Sequence, residues 1–130
     1  MPTNNEIKSA LFTLLSDADL GYPIAWPGVD FTPPASGYWL EVSFFPNRGY
    51  DDGISASSTV TPEGIFQVNA VTRPGGGVMG VGLVAAQVQA AFAKGTQVKD
   101  RVHVSRHPYQ TEADKMDDRM MIAVTIEYSG

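Results

Sequence analysis

The chain has no cysteine among its 130 residues. That excludes a disulfide framework, a thiolate metal site and a cysteine nucleophile. It fits a reducing compartment. No apolar run approaches the roughly 20 residues needed to span a bilayer. The first ten residues, MPTNNEIKSA, lack the basic and apolar regions of a signal peptide, so no membrane association is expected. Basic residues are few, with nine Lys and Arg against fourteen Asp and Glu, for a net charge of −5. A groove that grips nucleic acid needs clustered Lys and Arg, so specific nucleic-acid binding is not expected. What remains is a chain of ordinary apolar content, 43%, long enough for one domain, residues 1–130, with a real core.

What is abundant is concentrated in one place. The stretch from Gly21 to Trp39, GYPIAWPGVDFTPPASGYW, holds Pro23, Pro27, Pro33 and Pro34 together with Tyr22, Trp26, Phe31, Tyr38 and Trp39. The prolines fix φ and remove backbone donors, which rules out a long helix. The aromatic content is too high for a solvated linker. The stretch reads as an ordered, extended arm whose Trp26 and Phe31 plug into something, and which runs into a strand near Tyr38.

Regular elements flank the arm. Thr3 and Glu6 have capping-box spacing, and Ile7, Leu11, Leu14 and Leu15 then recur with helical period. This first helix is expected to fade over residues 16–19, with Gly21 as its stop. After the arm, YWLEVSFF alternates as a strand. Leu40, Val42 and Phe44 point one way; Trp39, Glu41, Ser43 and Phe45 point the other. Residues 47–62 are small, polar and turn-forming, and read as a long hairpin or loop. Residues 65–73 form a second strand, and Pro74–Gly77 a turn. A second helix follows over residues 78–94, with Val81, Val84, Ala85, Val88 and Phe92 as its apolar stripe and Gly95 as its stop. Its Gly80, Gly82, Ala85 and Ala86 allow close packing on a sheet. A third strand is expected over residues 97–105, a polar loop over residues 107–118, and a last strand over residues 119–128, where Met120, Ile122, Val124, Ile126 and Tyr128 share a face. Strands and helices mix without strict alternation. The expected fold is α+β, a mostly antiparallel sheet packed by two helices, with a long β-hairpin or loop.

Chemistry finds little support. His103 and His107 have the spacing of two helical metal ligands, but they lie on a strand and a turn, with Pro108 next. Glu112, Asp114, Asp117 and Asp118, and separately Asp51 and Asp52, are acidic clusters without the spacing of a calcium loop. PGGGVMG precedes a helix but lacks the Lys and Ser or Thr of a phosphate loop. No serine lies in a nucleophile elbow. No catalytic residue, metal ligand or cofactor site is assigned, and an enzyme is not expected. The surplus is apolar: Trp39 and Phe45 on the second strand face, Trp26 and Phe31 in the arm. Either the arm folds back over that face, or these rings form a protein interface.

The order of these motifs resembles the phage tail terminator family, including the gpU-like proteins of long-tailed phages. The resemblance runs from Glu6 to Tyr128 through PIAWPGVDFTPP, YWLEVSFFP, Gly64-Ile65-Phe66-Gln67, the Pro-Gly turn, a helix ending Ala91-Phe92, and IAVTIEY. It implies a structural protein of the virion tail, assembled in the host cytoplasm, that caps the tail tube as a six-fold ring. The ring ends tube polymerisation and offers the head's completion or neck proteins an attachment surface, while DNA passes its channel without specific binding. Interface residues would be Trp26, Phe31, Trp39 and Phe45, with Asn47, Arg48, Tyr50, Asp51 and Asp52 of the polar loop on the tube. A head–tail joining or neck protein is one alternative. A small α+β enzyme or ligand-binding domain using the His103/His107 region is another. In the terminator reading, Trp26→Ala is expected to cost more in ring formation than in monomer folding. Native mass spectrometry and thermal melts of the same samples measure the two, and equal losses would place the ring in the subunit core.

Overall fold

The computed structural model describes residues 3–46, 50–51, 60–73, 78–111, 113–116 and 119–130. In chain order its elements are α1 (Asn4–Asp17), β1 (Ile24–Ala25), β2 (Tyr38–Pro46), β3 (Tyr50–Asp51), β4 (Val60–Thr61), β5 (Glu63–Thr72), α2 (Val78–Ala91), β6 (Gln97–Lys99), β7 (Val102–Val104), β8 (Tyr109–Gln110), β9 (Asp114–Met116) and β10 (Arg119–Ser129). Among the described residues, eight strands form one mixed sheet and β3–β4 form a separate two-stranded hairpin. The fold is α+β.

Three long antiparallel strands, β2, β5 and β10, set the frame. Their register aligns three apolar rows across the sheet: Leu40–Ala70–Ile122, Val42–Val68–Val124 and Phe44–Phe66–Ile126. Because strand side chains alternate, all three rows emerge on one face. Ile7, Leu11 and Leu15 of α1 and Val81, Val84, Ala85, Val88 and Phe92 from α2 and its end are buried against that face. The apolar stripes of both helices are thus the other half of one core. At ~25 cal/mol per Å² of apolar area, burial of this kind is the main stabilising term.

The helix ends follow their sequence signals. Thr3 Oγ1 accepts from the Glu6 amide and Glu6 Oε1 accepts from the Thr3 amide, both at 3.1 Å, closing the capping box. These hydrogen bonds hold the Glu6 carboxyl below its ordinary range. The stop of α1 differs from expectation. Ala18 caps the helix, and Asp19 already has φ 47, before Gly21 with φ 86. An Asp tolerates the left-handed region well enough to take the glycine's place.

Two segments depart from the sequence reading. Residues 97–105 are not one strand. Asp100, at φ 51, turns the chain between β6 and β7, which pair antiparallel with a register shift. And residues 107–118 are not wholly loop. β8 and β9 pair with β10 at Val124–Thr125 and Arg119–Met121, and β7 pairs with it at Tyr128–Ser129. The second edge of β10 is therefore served by a strand in three pieces. Pro108, buried and without a backbone donor, interrupts it.

The close approach of α2 to the sheet rests on Gly80. A Cβ there would lie 1.9 Å from the Tyr38 hydroxyl and 2.9 Å from its ring carbon Cζ. Gly82, by contrast, faces open space and has no such role. In an unconstrained helix Gly→Ala gains about 1 kcal/mol. At Gly80 overpacking costs roughly 1–3 kcal/mol and outweighs that gain. Denaturant melts of Gly80→Ala are expected to show a net loss, partly recovered in Gly80→Ala with Tyr38→Phe; independent, additive effects would contradict the contact.

Candidate protein interface

The second sheet face, away from the helices, is closed around Trp39. The ring is buried, 1% exposed, within the subunit. Its Nε1 donates to Glu41 Oε2 at 3.1 Å, and the Arg119 guanidinium donates to the same oxygen at 2.5 Å. The Arg73 guanidinium lies 5.3 Å from the ring centroid, in cation–π range. Arg73 Nε also donates to the Pro34 carbonyl at 3.3 Å, and Thr72 Oγ1 to the Gly37 carbonyl at 3.0 Å. The end of the arm is thus tied to the sheet beside Trp39. This corrects the expectation of Trp39 as an interface ring: it is a packing residue, because Arg73 and the Glu41–Arg119 pair cover it.

Trp26 has a mixed position. β1 pairs in parallel with β2, Ile24 opposite Leu40, and places the arm along the sheet edge. Trp26 then packs on Phe12 of α1, ring centroids 4.9 Å apart, and Phe12 in turn meets Phe66 of the core at 5.9 Å. The Trp26 ring remains only partly buried and, with Phe12, Pro27 and Val29, walls an open groove of about 490 Å³. Lys8 stands at that groove as its one charged lining residue. Phe12 was not singled out from sequence, although its place four positions before Ser16 and off the buried stripe sets it on the flank of α1.

Phe31 is half-buried. Phe45 is 52% exposed, at the open end of β2. Tyr50 and Asp51 form β3 against β4. Asn47, Arg48 and Asp52, with most of the expected hairpin, lie outside the described residues. So do the Pro74–Gly77 turn and Glu112, Asp117 and Asp118.

Sequence reasoning missed the most exposed apolar feature. Met79 is 80% and Leu83 67% exposed on the outer face of α2. Ala86 and Ala90 continue that line, one face at i, i+4, i+7 and i+11. No residue of α2 is charged. A helix apolar all round is expected to be covered on both sides, and this one is covered on one. The missing charges between Val78 and Ala91 were the available signal. Neighbouring side chains hold the helix in place: the Tyr22 hydroxyl donates to Gln87 Oε1 at 2.8 Å, and Gln89 Nε2 to the Pro108 carbonyl at 2.8 Å.

The histidines do not converge. His103 Nδ1 lies 3.1 Å from the Arg101 carbonyl, and His107 is exposed. Among the described residues no cluster of three His, Asp or Glu side chains could hold a metal, and no helix is long and apolar enough to cross a membrane.

One polar atom is stranded. Tyr128 stacks on Phe44 at 5.8 Å, and its buried hydroxyl has no partner. Burial pushes this phenol up to about 12 from its ordinary 10. The folded state thus holds its proton where the unfolded chain releases it, so stability present below pH 10 falls as pH rises toward 12. Tyr128→Phe is expected to flatten that alkaline loss and to raise stability at neutral pH by roughly 1 kcal/mol, since an unpaired buried hydroxyl is a cost. Denaturant melts from pH 7 to 11 measure both, and a lower stability of the Phe variant would reveal a partner for the hydroxyl.

A two-helix layer on one sheet face, with an exposed uncharged helix ridge and a separate aromatic groove, is the surface of a subunit that docks onto other proteins. The phage tail terminator protein family matches over residues 6–128, and the chain belongs to that family. It is a structural protein of the phage tail. Among solved structures, one chain is 26% identical, with a TM-score of 0.79 over 99% of this chain and 96% of its own length. No curated protein matches.

Proposed function

We propose that the chain acts as one domain, residues 1–130, that caps the phage tail tube, ends its polymerisation and offers the surface to which the head attaches. Copies would assemble as a six-fold ring in the host cytoplasm and remain in the virion. The observation that supports this best is the family match over nearly the whole chain. The exposed apolar residues fit it, because an assembly subunit keeps surface that only its neighbours cover.

Roles divide by position. Phe45, at the open end of β2, and the segment with Asn47, Arg48, Tyr50, Asp51 and Asp52 would meet the tube protein. Trp26 and Phe31 would serve contacts between copies, and Trp39 would support the edge from within. The net charge of −5 would let DNA pass the ring channel without adhering. No step of this role needs a cofactor.

Tails assembled without the protein are expected to overrun their normal length in electron micrographs, and adding it to polymerising tube protein should arrest growth. Normal tail lengths in its absence would refute the capping role. Binding to a head-completion protein but not to the tube would instead assign a head–tail joining role. Phe45→Asp is expected to weaken tube binding at least about tenfold, or 1.4 kcal/mol, with little change in the melting midpoint, because the ring is half exposed.

A further inference from the structure

The helix layer carries two apolar surfaces of opposite rim charge, on opposite flanks of α1. On one flank, Leu14, Asp17 and Ala18 of α1 face Ala90 and Ala91 of α2 across an open groove, with Asp19 beside them. The uncharged ridge of Met79, Leu83, Ala86 and Ala90 runs from this groove. Its charged rim is acidic, Asp17 and Asp19. On the other flank, Asn5, Ser9, Phe12 and Ser16 of α1 face Trp26, Pro27 and Val29 of the arm. Val29 is 62% exposed there, and the charged rim is basic, Lys8.

From this arrangement we infer that the α2 ridge of one copy docks into the Trp26–Val29 groove of the next, with Asp17 and Asp19 facing the neighbour's Lys8. The inference rests on the ring reading above and names the surfaces that would build the ring. Three arguments select a second copy as the occupant. The ridge has the spacing of helix-in-groove anchors, at i, i+4, i+7 and i+11. Phe12, Trp26, Pro27 and Val29 give the groove an apolar, aromatic wall that suits Met and Leu anchors. And the lining charges are complementary within this one sequence, Asp17 and Asp19 against Lys8, so a chain of net charge −5 can set opposite charges at the seam. Because the two patches differ and lie on opposite flanks of one helix, the contact is heterologous. Each copy keeps a free ridge and a free groove, and addition continues until the rotation closes.

The absence of cysteine makes the test direct. Chains carrying Leu83→Cys, Val29→Cys or both are assembled into tails and treated with a short bis-maleimide. The double variant is expected to give a ladder that ends at the ring's copy number, while either single variant gives no ladder. Leu83→Arg in the otherwise unaltered chain is expected to weaken association at least tenfold in native mass spectrometry, with an unchanged melting midpoint. Asp17→Lys with Asp19→Lys is expected to weaken association as well, and Lys8→Glu in the same chain to restore it. A ring of normal copy number that yields no ladder would overturn this interface and leave the ring standing. So would equal crosslinking of Leu83→Cys alone, which marks a two-fold contact, or a charge reversal that Lys8→Glu does not rescue. A single copy per tail would overturn the ring and this inference together.

Discussion

Everything else in the fold depends on the antiparallel register that joins Tyr38–Pro46, Glu63–Thr72 and Arg119–Ser129. Moving one strand by a single residue would send its whole apolar set to the other face. In register, Leu40, Val42 and Phe44 continue through Val68 and Phe66 to Val124 and Ile126, and give both helices one apolar floor. The same register puts Trp39 beside Val71 on the reverse face. There Glu41 and Arg119 come together from strands that are not neighbours, with β5 between them. That ion pair is partly buried, and its desolvation offsets much of its attraction. Its consequence is local: it saturates the Trp39 indole and, with Arg73, closes the reverse face at one end while Phe45 stays open at the other.

The parts of this architecture with a strong period were legible in the sequence. Both helical stripes, the inward sides of three strands and the Thr3–Glu6 cap follow from the chemistry of single segments, and the structure reproduces them. The parts set by what lies opposite were not. Asp100 makes a hairpin turn without a glycine, so residues 97–105 read as continuous. β8 and β9 are polar edge pieces held by backbone pairing with β10, which leaves no side-chain alternation to read. Alternation placed Trp39 on the reverse face correctly, but it could not show that Arg73 would lie over the ring. For α2 the omission was different. Its inner stripe was read and its outer face was not, although fourteen successive residues without a charge carried the signal.

The arm is both a structural and a surface element, and its prolines explain how. An extended segment with fixed φ loses less conformational freedom on ordering than a flexible one. It can therefore follow the sheet edge with few hydrogen bonds: β1 pairs over two residues, and the Pro23 carbonyl accepts from the Leu40 amide at 2.9 Å. The Phe12–Trp26 contact anchors its middle, and Arg73 and Thr72 hold its end. Between these anchors Trp26, Pro27 and Val29 stand as a preformed wall. A preformed wall keeps the entropy cost of docking low, which is how a modest aromatic surface can contribute to association.

The distribution of charge then separates two kinds of contact. A net charge of −5 on 130 residues opposes crowding of copies, so the lateral association proposed above would use the uncharged parts of the surface. Those parts lie in the helix layer: the outer line of α2 and the groove beside Trp26. The reverse face carries Glu41, Ser43, Gln67, Asn69 and Glu127, partly exposed polar side chains suited to water or to wet contacts. Phe45 at one end is its exposed large apolar side chain, beside the half-buried Ile65. In a ring joined through the helix layer, that face and the β3–β4 hairpin stay free for partners above or below. The cost would fall on the free subunit, which exposes Met79 and Leu83 to water. A chain that carried this ridge without the acidic rim beside it would have nothing to set the orientation of its neighbour, and an apolar ridge alone would collect copies without closing them.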